Sequence, residues 1–497
     1  MKKRFTRFVL ITIFCLFPLT AHASTDSNSS SNIKNFDIAS LVKSDGSYWV
    51  WGNNQSVPTQ IQGLTDVEVS FSDGLIMKQD NSVWYWERTS NSASVQIYPV
   101  KELNNIIKVY SMWNVAMALD ADGRVFMIPR TDGKLDIKQI AQLSGIENVA
   151  DISSYYEVQQ QEWVQRWVFL KKDGTVWKDE NSLKSFEPIQ SLDHIVHIDE
   201  NMALKEDGTV WSWATEFTAN DTLTDPLTAT RIDHLSNIQM IKVSGYYKLA
   251  VDLQSHLWFW GATVTGFSDG TTYHNQPVPL QLRSITDVKD AFIVERSLIV
   301  LTGDGNLYET SINRETMPNN PSFNLLTSNV KQVKASLRHI ILQKSDGTLW
   351  GWGVNKHAEL GNGDFDFMHT TPVPVQKAIS LELNSEPVPL TNGVVIRNGQ
   401  AFIPIRSIFE KLGAAVTWDA ENKIVTINRS EPGKASITLQ MNYILDETKL
   451  NDSLVVMPSK PFSVNGISYL PLRFISESLG AKVEWVQKED KISITMQ

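Results

Sequence analysis

The chain has 497 residues, of which 20% are charged and 42% are hydrophobic. This composition is typical of a folded globular protein with roughly two to four domains, and it excludes a disordered chain. The net charge of −10 disfavours a nucleic-acid-binding protein, which needs a basic surface to displace phosphate counterions. A single cysteine excludes an intrachain disulfide framework and any four-cysteine metal site. The 16 tryptophans require an explanation.

Residues 1–23 have the pattern of a secretory signal peptide. A basic start precedes an apolar run from Phe8 to Leu19, which is too short to span a bilayer and so disfavours the alternative of a membrane anchor. Ala21-His22-Ala23 predicts cleavage after Ala23, which would remove the only cysteine, Cys15. Residues 24–32 are rich in Ser and Asn and are expected to be a flexible leader. No other apolar run could cross a membrane, so we expect a secreted bacterial protein, either free or associated with the cell wall.

A hairpin motif recurs eight times between residues 33 and 378. Each copy has an Asp-Gly or related turn, which supplies the positive φ of a tight two-residue hairpin. An aromatic residue follows each turn, and the eight aromatic positions are Trp49, Trp84, Phe126, Trp177, Trp211, Trp258, Tyr308 and Trp350. Flanking apolar segments supply further strands to each unit. Repeated units of about four strands are typical of a β-propeller, which leaves only short, protected strand edges.

The last copy carries the most specific motif. Trp350-Gly351-Trp352-Gly353-Val354-Asn355 leads to Glu359-Leu360-Gly361-Asn362-Gly363-Asp364. This segment resembles the W-G-x-N-x-x-G-Q-L-G-x-G-D loop of the regulator of chromosome condensation repeat family, with Ala358 and Glu359 at the usual Gly and Gln. The other copies resemble the degenerate repeats of secreted bacterial, alpha-tubulin-suppressor-like relatives. The resemblance implies a mainly β fold, with a propeller of seven or eight four-stranded blades over residues 33–378.

A longer repeat begins after Lys377. Phe402-Ile403-Pro404-Ile405-Arg406 matches Tyr469-Leu470-Pro471-Leu472-Arg473, and Trp418 matches Trp485, at an offset of 67 residues. The repeat resembles the copper amine oxidase N-terminal domain, or stalk domain, over residues 380–497. This resemblance implies a small α+β, non-catalytic module made of two copies. No His or Cys follows His369, so copper would lack its usual imidazole or thiolate ligands there, and we expect no cofactor.

Three patterns that resemble catalytic or metal-binding motifs have simpler explanations. Gly266–Gly270 matches G-x-S-x-G but lies in a blade loop, where a strand-to-helix nucleophile elbow is not expected. His194 and His197 lie on a predicted strand and would point to opposite faces. Asp364 and Asp366 lack the further oxygen ligands of a calcium loop. We therefore expect no catalytic residue and no metal site.

The recurring arginines of the second repeat are a fourth candidate. Arg406 and Arg473 each follow a proline by two residues and could bind an anionic polymer. Their recurrence in both copies favours a structural role instead, in ion pairs with Glu410 and Glu477.

Thirteen of the 16 tryptophans belong to the two repeats, and Trp113, Trp163 and Trp167 remain. Trp113 precedes the third hairpin, and Trp163 lies in a longer insertion. Equivalent turns of a propeller share one face, and an aromatic-rich face is typical of an interface. The predicted binding residues on that face are Trp113, Tyr155, Tyr156, Trp163 and Tyr246. Core packing of some of these residues is the alternative.

These observations favour a non-enzymatic binding or scaffold protein. The propeller face would recognise an extracellular protein or a cell-wall component, and the stalk domain would support or attach it. The alternative is an enzyme that acts on an extracellular polysaccharide at the propeller face, which would need convergent carboxylates. Eukaryotic relatives of the repeat family include guanine-nucleotide exchange factors, but export would separate this chain from a GTPase. The fold alone does not assign a function.

Overall fold

The computed structural model describes residues 32–88, 95–159, 162–180, 182–213, 228–267, 270–404, 408, 411–430 and 436–496. The predicted signal peptide lies outside these residues. The described residues are mostly in β-strands, and they include one α-helix. No described helix is long and apolar enough to span a membrane.

The first four sheets each contain strands that pair in chain order. Blade 1 contains β1 (Ile33–Asp37), β2 (Ser40–Lys43), β3 (Tyr48–Gly52) and β4 (Gln55–Gln60). Blade 2 contains β5 (Val67–Ser70), β6 (Leu75–Lys78), β7 (Ser82–Arg88) and β8 (Val95–Asn104). Blade 3 contains β9 (Ile106–Ser111), β10 (Val115–Asp120), β11 (Val125–Thr131), β12 (Lys134–Leu135) and β13 (Ala141–Gln142), the last two both pairing with β11. Blade 4 contains β14 (Val149–Gln159), β15 (Glu162–Lys171), β16 (Val176–Asp179) and β17 (Phe186–Pro188).

The next four sheets repeat this order. Blade 5 contains β18 (Ile195–Asp199), β19 (Met202–Lys205), β20 (Val210–Ser212) and β21 (Thr230–Arg231). Blade 6 contains β22 (Ile238–Ser244), β23 (Tyr247–Asp252), β24 (Leu257–Phe267) and β25 (Gly270–Leu282). Blade 7 contains β26 (Val288–Val294), β27 (Ser297–Thr302), β28 (Leu307–Ser311) and β29 (Asn324–Thr327). Blade 8 contains β30 (Val330–Ala335), β31 (His339–Lys344), β32 (Leu349–Val354) and β33 (Met368–Pro374).

Eight hydrophobic cores lie between successive blades and close the ring. In the closing core, Trp49 and Trp51 of blade 1 pack with Ile341 and Leu349 of blade 8. The Trp51 indole Nε1 also donates a hydrogen bond to the Glu359 carbonyl oxygen at 2.8 Å. The sequence left seven or eight blades open, and the described residues form eight.

The Asp-Gly hairpins are held by one repeated set of contacts, seen clearly in blade 5. The Thr209 backbone N–H and hydroxyl donate to Asp207 Oδ1 at 2.9 and 2.6 Å. The same hydroxyl accepts a hydrogen bond from Trp211 Nε1 at 3.0 Å, and Lys205 Nζ lies 4.7 Å from the indole ring centre. The indole–hydroxyl bond and the lysine recur at Trp49, Trp84, Trp177 and Trp350. These contacts explain the hairpin tryptophans as structural residues.

The hairpin turns lie at one end of the ring, which we call the hairpin face. There, the first residue of a blade donates its amide to the preceding turn, as Ile195 N does to the Gly174 oxygen at 3.0 Å and Ile238 N to the Gly208 oxygen at 2.9 Å. Because neighbouring strands are antiparallel, the turns between the first and second strands lie at the opposite end. We call this end the AB face, made by residues 38–39, 71–74, 112–114, 200–201, 245–246, 295–296 and 336–338.

The stalk domain contains three sheets and helix α1 (Leu472–Ser478). The first sheet contains β34 (Ser380–Leu383), β35 (Glu386–Pro387), β45 (Ala481–Val486) and β46 (Lys491–Met496). The second contains β36 (Val395–Arg397), β37 (Gln400–Pro404), β43 (Phe462–Val464) and β44 (Ile467–Pro471). The third contains β38 (Ala414–Asp419), β39 (Ile424–Arg429), β40 (Ile437–Asn442), β41 (Glu447–Leu450) and β42 (Ser453–Val455).

The two sequence copies of the stalk domain are related by a local twofold axis. Strands β37 and β44 pair antiparallel, with Ile403 opposite Leu470 and Phe402 opposite Pro471. The 67-residue offset maps Phe402 onto Tyr469, which lies opposite Pro404. The pairing is therefore symmetric about the Ile403–Leu470 pair, as expected for two copies of one unit.

The stalk domain packs against the outer strand of blade 1. Val57 of β4 lies in one buried cluster with Val395, Phe402 and Tyr469. Asn392 Nδ2 donates a hydrogen bond to Ser56 Oγ at 3.2 Å, and this pair is buried. The outer strand of blade 1, which would otherwise be an exposed sheet edge, is thus covered.

Candidate functional site

A cleft opens on the AB face between blades 6, 7 and 8. It consists of two adjoining cavities of about 320 and 200 Å³, both lined by Tyr247, Ile293 and Leu337. Leu337 lies at the tip of the blade 8 turn and is 75% exposed. A single exposed leucine is common on protein surfaces, but Leu337 adjoins a concave apolar surface, and such a combination is typical of a binding site. The cleft is therefore a candidate binding site.

Tyrosines form one wall of the cleft. The rings of Tyr246 and Tyr273 lie 4.4 Å apart, and Tyr273 comes from the long β24–β25 hairpin. Arg296 Nη2 donates a hydrogen bond to Thr271 Oγ1 at 3.2 Å, which holds this hairpin against blade 7. Burial raises the pKa of Tyr246, and it raises the pKa of Tyr247 to about 12. Both phenols are therefore neutral near pH 7.

The charged groups around the cleft are engaged with one another. Lys242 Nζ lies 3.7 Å from the ring centre of Phe292 and pairs with Asp290. Burial lowers the pKa of Lys242, although the neighbouring carboxylate opposes this shift. On the rim, Glu295 pairs with Arg338. The cleft thus presents aromatic and aliphatic surface with internally compensated charge.

Trp113 projects from the AB face on blade 3 and is 78% exposed. The turn that carries it is fixed by Arg130, whose Nε donates to the Met112 carbonyl oxygen at 2.8 Å and whose Nη2 donates to Asp73 Oδ2 at 2.6 Å. A rigid turn that presents an exposed indole loses little entropy when a partner binds. Trp113 therefore has the properties of a pre-organised contact residue.

The blade 4 insertion exposes fewer of the predicted binding residues than the sequence indicated. Tyr156 is exposed, but Tyr155 is buried between blades 4 and 5, where its ring meets Trp213 edge-on at 6.0 Å. The Tyr155 hydroxyl donates to Glu157 Oε2 at 3.0 Å, and Glu157 Oε1 in turn pairs with Arg166 Nε at 2.5 Å. Burial and the adjacent carboxylate raise the pKa of Tyr155. The prediction that Tyr155 is a binding residue is therefore wrong, because its side chain is buried in the core.

The other two tryptophans outside the repeats are Trp163 and Trp167. Trp167 is buried between blades 3 and 4 and packs edge-on against Tyr110 at 5.6 Å. The backbone of Trp163 pairs with Val158 in the β14–β15 hairpin, but its side chain lies outside the described part of the chain. Leu337 and Tyr273 were missed by sequence reasoning. Leu337 could have been found from its position in a blade's first turn, as Tyr246 was.

The carboxylates of the blade 8 loop bond mainly to protein donors. Asp364, Asp366 and His369 could place one ligand atom each within 4.8 Å of the others. However, Asp364 Oδ1 already accepts hydrogen bonds from Asn355 Nδ2 at 2.7 Å and from the Asp366 amide at 3.1 Å, and it lies 3.1 Å from His369 Nε2. Asn362 Nδ2 bonds the other oxygen at 2.7 Å. The hydrogen bonds within the loop therefore explain why Asp364 and His369 lie close together.

The remaining candidates from the sequence do not form a site among the described residues. His194 precedes strand β18, whereas His197 lies within it beside Asp151, at 3.7 Å between Nδ1 and Oδ2. Ser268 of the G-x-S-x-G pattern lies outside the described residues. The proposed Arg473–Glu477 ion pair is wrong, since the two exposed side chains are not paired among the described residues.

Comparisons with known proteins found one matching family model and several similar solved structures. The family model of the copper amine oxidase N-terminal domain matches residues 382–494. Human WBSCR16 is 13% identical, with 59% of this chain and 88% of that chain covered and a TM-score of 0.42. Prp20p from Saccharomyces cerevisiae is 14% identical, with 70% and 90% covered and a TM-score of 0.41. Similarities at this level transfer no activity to this chain. Residues 382–494 thus match the copper amine oxidase N-terminal domain family, and they follow the eight blades that the described residues form.

Proposed function

We propose that this chain is a non-enzymatic binding protein whose AB face recognises an extracellular protein. The observation that carries the proposal is the exposed Leu337 beside the tyrosine-lined cleft. Protein interfaces are enriched in aromatic side chains at their centres and depleted in unpaired charge. The cleft has both properties. Tyr246 and Tyr247 line it, and its charged groups are paired, Glu295 with Arg338 and Lys242 with Asp290.

Trp113 extends the proposed surface to a second part of the ring. A partner that reaches from the cleft to blade 3 would contact two rigidly held apolar groups, Leu337 and Trp113. Energetically dominant contacts in protein interfaces are commonly a few such residues. The stalk domain supports this arrangement by covering the outer edge of blade 1 rather than the cleft.

The proposal is tested by photo-crosslinking on the secreted chain. A photoreactive residue replaces Leu337 in one version and Leu253 in the other. Leu253 lies in a hairpin-face turn and is 62% exposed, so it is a matched control at the opposite end of the ring. We expect a protein adduct at position 337, reduced by the additional change Trp113→Ala, and none at position 253. Equal adducts at both positions, or adducts at neither, would contradict the proposal.

A further inference from the structure

A groove in the stalk domain is separate from the propeller cleft. It has a volume of about 500 Å³ and lies between helix α1, the β45–β46 hairpin and the β36–β37 turn. Its floor includes the buried side chains of Leu472 and Val483, and Phe474 and Trp485 form part of its wall. Arg473 and Glu477 stand on its rim. An apolar concave surface with a few polar groups is the usual form of a small-ligand site.

The rim and wall residues are those that recur in the stalk repeat. Arg473, Glu477 and Trp485 correspond to Arg406, Glu410 and Trp418 of the first copy at the same 67-residue offset. Arg473 and Glu477 lie four residues apart on α1 and both are exposed. In the described part of the chain, neither side chain forms an ion pair or a hydrogen bond. A structural role would require burial or pairing, so these recurring residues are better explained by a ligand.

The two equivalent tryptophans differ in what covers them. Trp418 and Trp485 are 48% and 40% exposed. The Tyr443 ring meets Trp418 edge-on at 5.9 Å, and Lys423 Nζ lies 5.9 Å from the same indole. Trp485 has no ring or cation against it among the described residues, and it faces the groove instead. The second copy therefore presents an uncovered indole at a position where the first copy holds another ring.

The free groups of the groove specify the chemistry of its occupant. An indole face packs well against an apolar ring surface. The Arg473 guanidinium needs acceptors and the Glu477 carboxylate needs donors, and together they carry no net charge. A polyanion would satisfy Arg473 but would be repelled by Glu477, so it would leave one of the two groups unsatisfied. A pyranose ring offers an apolar C–H face with hydroxyls around it that both donate and accept.

We propose that this groove binds a neutral glycan, with one pyranose ring stacked on Trp485 and its hydroxyls bonded to Arg473 and Glu477. The proposal goes beyond recognition at the AB face and does not depend on it. It gives the stalk domain a carbohydrate-binding role of its own.

The test measures binding of the secreted full-length chain to chitin, to cellulose and to starch, with poly-γ-glutamate as the polyanion. We expect binding to at least one neutral polysaccharide, and at least about tenfold weaker binding for Trp485→Ala and for Arg473→Gln, the loss of a single good contact. Trp418→Ala is the matched control, because the two tryptophans are equivalent in the repeat and similarly exposed. It should bind as the unchanged chain does, and thermal unfolding verifies that each variant is folded.

Several outcomes overturn the proposal. They are binding to none of the three neutral polysaccharides, binding only to poly-γ-glutamate, and equal losses for Trp485→Ala and Trp418→Ala. Arg473→Gln changes an exposed side chain and should not affect folding, so a loss with this variant cannot be attributed to unfolding. Trp113→Ala distinguishes the two proposals, since it should reduce the protein adduct at position 337 and leave glycan binding unchanged.

Discussion

Replacing Thr175 or Thr209 by valine tests how the hairpin motif holds the blades. Each hydroxyl donates to the preceding aspartate at 2.6 Å and accepts from the following indole at 3.0 Å. Valine has nearly the same shape but makes neither bond. A net hydrogen bond contributes about 0.5–1.5 kcal/mol, and both sites are half-buried, so water replaces part of what is lost. We expect each substitution to lower the free energy of local unfolding of its hairpin by about 1 kcal/mol.

The assay is native-state hydrogen exchange of the hairpin amides, because a chain of this size is not expected to unfold in two states. A cost of 1 kcal/mol corresponds to about fivefold faster exchange. Thr175→Ser and Thr209→Ser keep the hydroxyl and serve as controls with little change. The two sites lie in different blades, so the double variant should show the same local effect in each hairpin. If valine and serine gave equal exchange rates, the hydroxyl would not be the stabilising group.

Two further predictions concern acid stability and the junction between the domains. Hydrogen bonds from Thr175 and Thr209 lower the pKa of Asp173 and Asp207 below 3.8 in the folded chain, so their stabilisation is present above about pH 3.8 and is lost as the pH falls through the folded pKa. The protection of the hairpin amides against hydrogen exchange should therefore fall below that pH, and less steeply in the double valine variant. Gly393→Ala would place a Cβ 2.2 Å from the Pro58 carbonyl oxygen, so we expect faster exchange in β4 and in residues 391–397 with an unchanged hairpin face, whereas the exposed control Thr391→Ala should leave exchange unaltered.

The blades could be predicted from sequence because their chemistry is local. The turn, the Ser or Thr after it and the indole lie within five residues of one another, as in Asp207–Trp211. The number of blades could not be predicted, because closure depends on contacts such as that of Trp51 with Glu359, which are 308 residues apart. The symmetric pairing of β37 with β44 is also non-local, although the 67-residue repeat indicated two equivalent units.

The candidate site could be predicted only in part. The sequence identified the turns that carry Trp113 and Tyr246, because equivalent turns share a face. It could not decide between Tyr155 and Tyr156, since adjacent residues of a strand point to opposite sides and either could be the buried one. Tyr273 reaches Tyr246 at the cleft wall through a long hairpin, and nothing in its local sequence indicates that position.

The two ends of the ring differ in how freely their residues can change. On the hairpin face, the turns of blades 1, 2, 4 and 5 are each bonded to their own aspartate, linked to an indole and bonded to the next blade, so most substitutions there would reduce stability. On the AB face, the turns of blades 7 and 8 are joined by the Glu295–Arg338 ion pair and by the bond from Glu295 N to the Leu337 carbonyl oxygen at 2.7 Å, and neither contact uses the Leu337 side chain. The Leu337 side chain therefore bears little of the fold's stability. A surface residue that is positioned by its backbone and not needed for packing can be selected for binding alone, which is the physical reason to look for recognition at this end.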